Sequence, residues 1–188
     1  EKKKQKQLEE IAVRVSQCTN CALSKTRNKT VPGEGNPDAD IVFIGEGPGG
    51  DEDKQGRPFV GRAGKLLDKI IQAMGLDRSD VFIGNIIKCR PPNNRDPKME
   101  EISQCHPFLQ QQLEIIDPKI IVALGSPAAK TLLDTTEGIG KLRGRFHEYV
   151  PGFGKKPIKL MPTYHPAYLL RNYTKDSRGK VWEDMKKV

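Results

Sequence analysis

Four short apolar runs, each ending in a turn, alternate along the chain with segments of helical periodicity, and this alternation limits the fold more than any other feature. "ADIVFIGEG" has a β-branched and aromatic centre that predicts a buried strand over residues 41–45. Ala63, Leu66, Leu67, Ile70, Ile71 and Met74 then repeat at helical spacing up to Gly75. "DVFIGNIIKC" resumes as a strand, and in the following "RPPNNRDP" Asp96 is expected to cap, and Pro97 to open, a helix carrying Ile102, Cys105, Leu109 and Ile116. "KIIVALGSPAAKTLL" repeats the strand, glycine, helix order; "IKLMPTYHPAYLL" gives a last strand running into a histidine loop, and "RGKVWEDMKKV" a closing helix. Such alternation predicts an α/β sandwich, a parallel sheet covered on both faces with right-handed crossovers. Ligands of these sheets sit beyond the carboxyl ends of the strands, where the segments after residues 45, 84 and 164 fall.

At 188 residues the chain is long enough to bury a substantial core and is read as one domain, residues 1–188. Its 32 Lys and Arg against 24 Asp and Glu leave a formal charge of +8, which favours a polyanionic partner. Leu8, Ile11, Ala12 and Val15 mark an amphipathic helix over residues 4–15 that delivers Cys18 and Cys21 into the next loop. There is no run of eighteen apolar residues and no charged-then-apolar leader, so a soluble, cytoplasmic protein without a membrane partner is expected, its start trimmed of the initiator Met.

The stretch "IGEGPGGDEDKQGRPFVGRAG" holds seven glycines and four carboxylates. Gly45, Gly47, Gly49 and Gly50 match neither dinucleotide nor P-loop spacing, and Asp51, Glu52 and Asp53 would repel a phosphate. The stretch reads better as a pocket wall, its glycines admitting backbone close to a flat ligand and Phe59 offering a ring to stack. Asn85 ends a strand with an amide able to read a heterocycle that presents N–H beside C=O. His165, held extended by Pro166, follows another strand and is placed to donate to a developing oxyanion. Each has an ordinary reading, as core ring, turn former or unremarkable histidine; the weight lies in the three falling on one rim. Cys18, Cys21, Cys89 and Cys105 do not resemble a secreted disulfide framework. Their spacing leaves open zinc, an iron–sulfur cluster or unrelated thiols.

"GEGPGGDEDKQGRPFVGRAGKLL", "NIIKCRPPNNRDP" and "HPAYLLR", set within that cysteine spacing, closely resemble the family 4 uracil-DNA glycosylases from Cys18 to Arg171. The resemblance implies a three-layer sandwich with a central four-stranded parallel sheet, a structural [4Fe–4S] cluster on Cys18, Cys21, Cys89 and Cys105, and excision of uracil from single- or double-stranded DNA by a monomer. It puts uracil stacking on Phe59, base reading on Asn85 and the motif histidine on His165; Glu46, Gly47 and Glu52 fall in the uracil-pocket wall. Leu169 aligns with the leucine that fills the vacated base stack, with Tyr168 and Arg171 beside it. Related enzymes carry a water-activating Asp where this chain has Gly47, which leaves Glu46 or Asp53 to hold the water or stabilise a cationic sugar. A related group cross-links to the abasic sugar through a histidine in the loop after the Asn strand; "RPPNNRDP" has none, so turnover is expected.

On this reading the nucleotide flips out of the duplex. Phosphates are gripped by basic residues around "GKLRGR" and by the Gly33-Glu34-Gly35 and Gly125-Ser126 loops. The residues establish no sliding-clamp contact. Two rival readings are a non-catalytic nucleic-acid-binding module stapled by a metal centre, and a nucleotide hydrolase that binds Mg²⁺ through "GGDED".

Overall fold

The structure is a computed structural model that describes residues 1–188. Along the chain the elements are α1 (Lys2–Ser16), β1 (Glu34–Gly35), β2 (Ile41–Gly45), α2 (Gly50–Gln55), α3 (Arg62–Ala73), β3 (Phe82–Asn85) and α4 (Met99–Ile116). There follow β4 (Ile120–Leu124), α5 (Ser126–Leu133), α6 (Ile139–Leu142), β5 (His147–Tyr149), β6 (Ile158–Thr163), α7 (Pro166–Arg171) and α8 (Lys175–Met185). The sheet has six strands in the order β1-β3-β2-β4-β6-β5. Its inner four, β3, β2, β4 and β6, are parallel, as expected from the sequence. The two edges, β1 on β3 and β5 on β6, are antiparallel additions that the sequence did not reveal.

Side chains leave a strand alternately up and down, so each apolar run feeds two cores. Val42, Ile44, Phe82, Ile121, Ala123 and Leu160 join one cluster with Leu109, Leu113 and Ile116 of α4 and Ala128, Ala129 and Leu132 of α5. Phe43, Ile83, Val122, Leu124 and Met161 join another with Leu67 and Ile71 of α3, Leu169 of α7 and Val181 and Met185 of α8. Helices therefore cover both faces, giving the three layers. The inner strands are buried on both sides, which is why they read as continuous apolar runs. Helix α1 docks on α4 through Ile11, Val15 and Phe108.

The registers Gly45↔Asn85 and Leu124↔Thr163 bring the ends of all four inner strands to one rim of the sheet. The rim is braced from outside. Asp184 of α8 is fully buried, accepts from Thr163 Oγ1 at 2.7 Å and takes a fork from Arg143 with a closest approach of 2.6 Å. Arg143 is thus committed to the fold and is not the free phosphate ligand that "GKLRGR" suggested. In the Gly33-Glu34-Gly35 stretch, Glu34–Gly35 form the edge strand β1, with Glu34 tied to Arg57 and Arg78.

Candidate active site

Beyond that rim lies a cavity of about 620 Å³ lined by the "GEGPG" turn, the 91–97 loop and the 164–171 segment, a size suited to a small ligand. The glycines of the turn are there for space. A Cβ on Gly45 would lie 2.6 Å from Asn85 Oδ1 and 2.7 Å from Phe59 Cζ, and one on Gly47 would lie 2.7 Å from Ile87 Cγ1. An acidic side chain at 47 therefore has no room unless Ile87 moves. At Gly125 the backbone takes φ +92°, and a Cβ there would lie 2.9 Å from His165 Cβ. A glycine turn thus lets β4 pass close behind the histidine.

The expected base-reading residues converge on this cavity. Phe59, Asn85 and His165 all line it, and the Phe59 and His165 rings stand 5.6 Å apart at 31°. Asn85 is 1% exposed, and its Oδ1 is buried with no hydrogen-bond partner. Glu52 Oε2 is in the same condition. A buried polar atom without a partner costs on the order of 1–3 kcal/mol, and both atoms belong to residues of the cavity wall, whose hydrogen-bonding capacity is thus left unused.

His165 accepts the Ala167 N–H on Nδ1 at 2.9 Å, which places its proton on Nε2. Burial, reinforced by the positive charge of Arg171, lowers its pKa to about 4. At neutral pH it is an uncharged Nε2–H donor. Glu46 behaves oppositely: burial first, and Asp96 second, push its carboxyl up to about 7. Both acids line the cavity. Asp96 does not cap α4, whose first turn is closed by the Lys98 N–H donating to Glu101 Oε2 at 2.9 Å. It shares the cavity wall with Glu46 and adds its charge there, a placement no local sequence signal marked, because it depends on how the 91–97 loop folds over the sheet. Tyr164 and Tyr168, stacked at 4.7 Å, form another part of the lining.

Two expected site residues are not in the cavity. Asp53 is 1% exposed and turned away from it, accepting from Asn28 N at 2.9 Å, Asn28 Nδ2 and Lys29 N at 3.4 Å. It fastens the 28–29 loop and has no free oxygen aimed at a substrate. Leu169 is 2% exposed within the core cluster of α3 and α8, so the wedge expectation gives way to ordinary packing. Its neighbours Tyr168 and Arg171 do line the cavity, Arg171 as an exposed cation on the rim.

Behind the 86–89 segment lies a second, mainly apolar pocket. Cys18, Cys21, Cys89 and Cys105 all line it, with Val15, Leu23, Ile87 and Phe108. Arg27 Nη1 donates to Cys89 Sγ at 3.3 Å and the Lys88 N–H to Cys105 Sγ at 3.2 Å. Burial raises the thiol pKa of Cys89, and that of Cys105 to about 11. No three His, Cys, Asp or Glu side chains are arranged to hold a single metal ion. No helix is long and apolar enough to cross a membrane.

The family model described as the uracil DNA glycosylase superfamily matches residues 32–186. The chain is 48% identical over 182 residues to a type-4 uracil-DNA glycosylase of Thermotoga maritima, covering 96% of this chain and 92% of that protein. It is 49% identical over 186 residues to the type-4 enzyme of Saccharolobus solfataricus, covering 96% and 84%. A type-5 uracil-DNA glycosylase of Pyrobaculum aerophilum is more distant, 31% identical over 158 residues, covering 75% and 67%. The chain belongs to the uracil DNA glycosylase superfamily, and within it to the type-4 uracil-DNA glycosylases.

Proposed function

We propose that this protein excises uracil from DNA, flipping the nucleotide into the 620 Å³ cavity and hydrolysing its N-glycosidic bond. The observation that carries this reading is the unpartnered Asn85 Oδ1 beside the Phe59 ring and the His165 donor. Extrusion of a base from the stack costs a few kcal/mol. The flipped base stacks on Phe59; its N3–H reaches Asn85 Oδ1, and its O4 accepts from the Asn85 amide N–H. Cytosine reverses that donor order and would leave the buried amide unpaired. A thymine methyl would press on the wall near Glu52.

Bond scission leaves charge on uracil O2 and a cationic sugar. A neutral His165 Nε2–H stabilises the oxyanion without giving up a proton. Of the two carboxylates the sequence offered to hold water or face the cationic sugar, ionised Glu46 remains, since Asp53 is engaged elsewhere. With no histidine in residues 90–97 the product is an abasic site and free enzyme. The positive charge and exposed Arg171 support a phosphate-gripping rim whose affinity falls as salt rises.

We read the cysteine-lined pocket as the seat of a [4Fe–4S] cluster. Four thiols facing one apolar pocket, with N–H donors on two sulfurs, suit a polynuclear centre held by thiolates. When bound, the cluster supplies a covalent tie between the loop after α1 and the 89–105 segment. One sheet serving both cores supports a single domain, and we read the enzyme as a soluble monomer.

Base release from matched oligonucleotides containing one U, T or C tests this reading. Asn85→Ala should slow release of U by roughly 10- to 100-fold, the penalty of a lost buried hydrogen bond. Equal release of all three bases by the native protein would refute the Asn85 assignment.

A further inference from the structure

Arg78 lies in the turn between α3 and β3, outside the cavity lining. Its guanidinium has five N–H donors, and five hydrogen bonds leave it. Nε and Nη2 donate to Glu34 Oε1 at 3.1 and 3.0 Å. Nη1 donates to Asp68 Oδ1 and to the Phe59 carbonyl, each at 3.0 Å, and Nη2 also donates to the Pro58 carbonyl. Glu34 is fixed in turn by a two-point contact from Arg57, both bonds 2.8 Å. Phe59, the residue so gripped, has φ +49°, a left-handed conformation that a bulky side chain keeps only when its surroundings impose it. On the other side Gly64 of α3 lies so close that a Cβ would stand 1.9 Å from the Phe59 carbonyl oxygen. The peptide before and after the ring is thus held between a guanidinium fork and the start of a helix.

We propose that Arg78 is a positioning residue for base recognition: by clamping the Pro58 and Phe59 carbonyls it fixes the Phe59 ring as the platform on which the flipped base stacks. The proposal rests on the reading of Phe59 as that platform. A lysine cannot replace the arginine, because one ammonium cannot span two carboxylates and two carbonyls in a planar fork.

Steady-state uracil release by the native protein, Arg78→Lys, Phe59→Leu and the double variant tests it, with melting temperature and circular dichroism recorded for each. Loss of base–aromatic stacking should raise KM about tenfold in Phe59→Leu. Arg78→Lys should raise KM several-fold with kcat little changed, since binding common to ground and transition states is what weakens. In the Phe59→Leu background it should add nothing further. A native KM in Arg78→Lys, a fall in kcat alone that tracks the folded fraction, or an effect that multiplies with Phe59→Leu overturns the proposal. A native KM in Phe59→Leu overturns the platform reading, and the proposal falls with it. Should Arg78→Lys not fold, Asp68→Ala removes the acceptor of one anchor of the fork at a partly exposed site; an unchanged KM there overturns the proposal as well.

Discussion

The cavity at the strand ends and the pocket among the cysteines share the 85–89 segment but treat their polar atoms in opposite ways. In the first, Asn85 Oδ1 and Glu52 Oε2 are buried without partners, Phe59 is held at a left-handed φ, and His165 and Glu46 have displaced pKa values. In the second, burial also displaces the thiol pKa values of Cys89 and Cys105, but their sulfurs already accept hydrogen bonds from Arg27 and the Lys88 N–H. Unpaired buried groups and backbone strain cost stability. On the proposed reading they persist in the first region because a transient ligand completes them, whereas the second encloses its centre with donors already in place.

The largest expected effect falls on the first region. His165→Ala should reduce single-turnover uracil release by roughly 10²- to 10³-fold, the usual loss of one oxyanion donor, with melting temperature and iron content near native. A rate within threefold of native would remove the histidine from the mechanism. Cys105→Ser separates the two regions: visible absorbance and iron should be lost and the melting temperature should fall by roughly 5–10 °C. The preference for U over T and C should survive in the folded fraction, and its loss would mean that the cysteine pocket takes part in recognition. A smaller effect comes from pH. Glu46 ionises at about 7, so kcat/KM should climb as pH rises through that value in the native enzyme and stay flat in Glu46→Gln. A native-shaped profile in Glu46→Gln would assign the ionisation to another group.

The smallest expected effect is on stability in acid. His165 is held at about 4 in the fold against 6.5 unfolded, so between those values the unfolded chain binds more protons than the native one. Stability contributed by the neutral ring is present above pH 6.5 and is lost as pH falls towards 4. His165→Gln should flatten that part of the melting-temperature profile, measured by calorimetry.

The inner sheet was legible because its strands are buried on both faces and so appear as unbroken apolar runs. The edges were not: β1 and β5, of two and three residues, are too short to carry a periodic signal. Asn85 and His165 stood out as candidates because each lies at or within two residues of a strand end, where such sheets bind ligands, whereas Phe59, beyond α2, stood out only by its Gly-rich, Pro-preceded loop. Asp53, Asp96 and Leu169 were misread for a common reason. Whether an acid faces a cavity, or a leucine on a short helix faces the core, is set by packing between distant segments: Asn28 claims Asp53 of α2, and Met185 and Val181 share a cluster with Leu169. Arg78 gave no signal at all, since the partners that reveal its role, Glu34, Pro58, Phe59 and Asp68, lie up to 44 residues away.

The central claim is that the cavity presents a neutral histidine Nε2–H to the departing base. The chain has only three histidines, so ¹⁵N NMR of the imidazoles across a pH titration tests it directly. The account predicts that His165 remains an Nε2–H tautomer from pH 8 down to about 5, with its midpoint near 4. A midpoint near the ordinary value of 6.5, or a proton on Nδ1 at neutral pH, would contradict it.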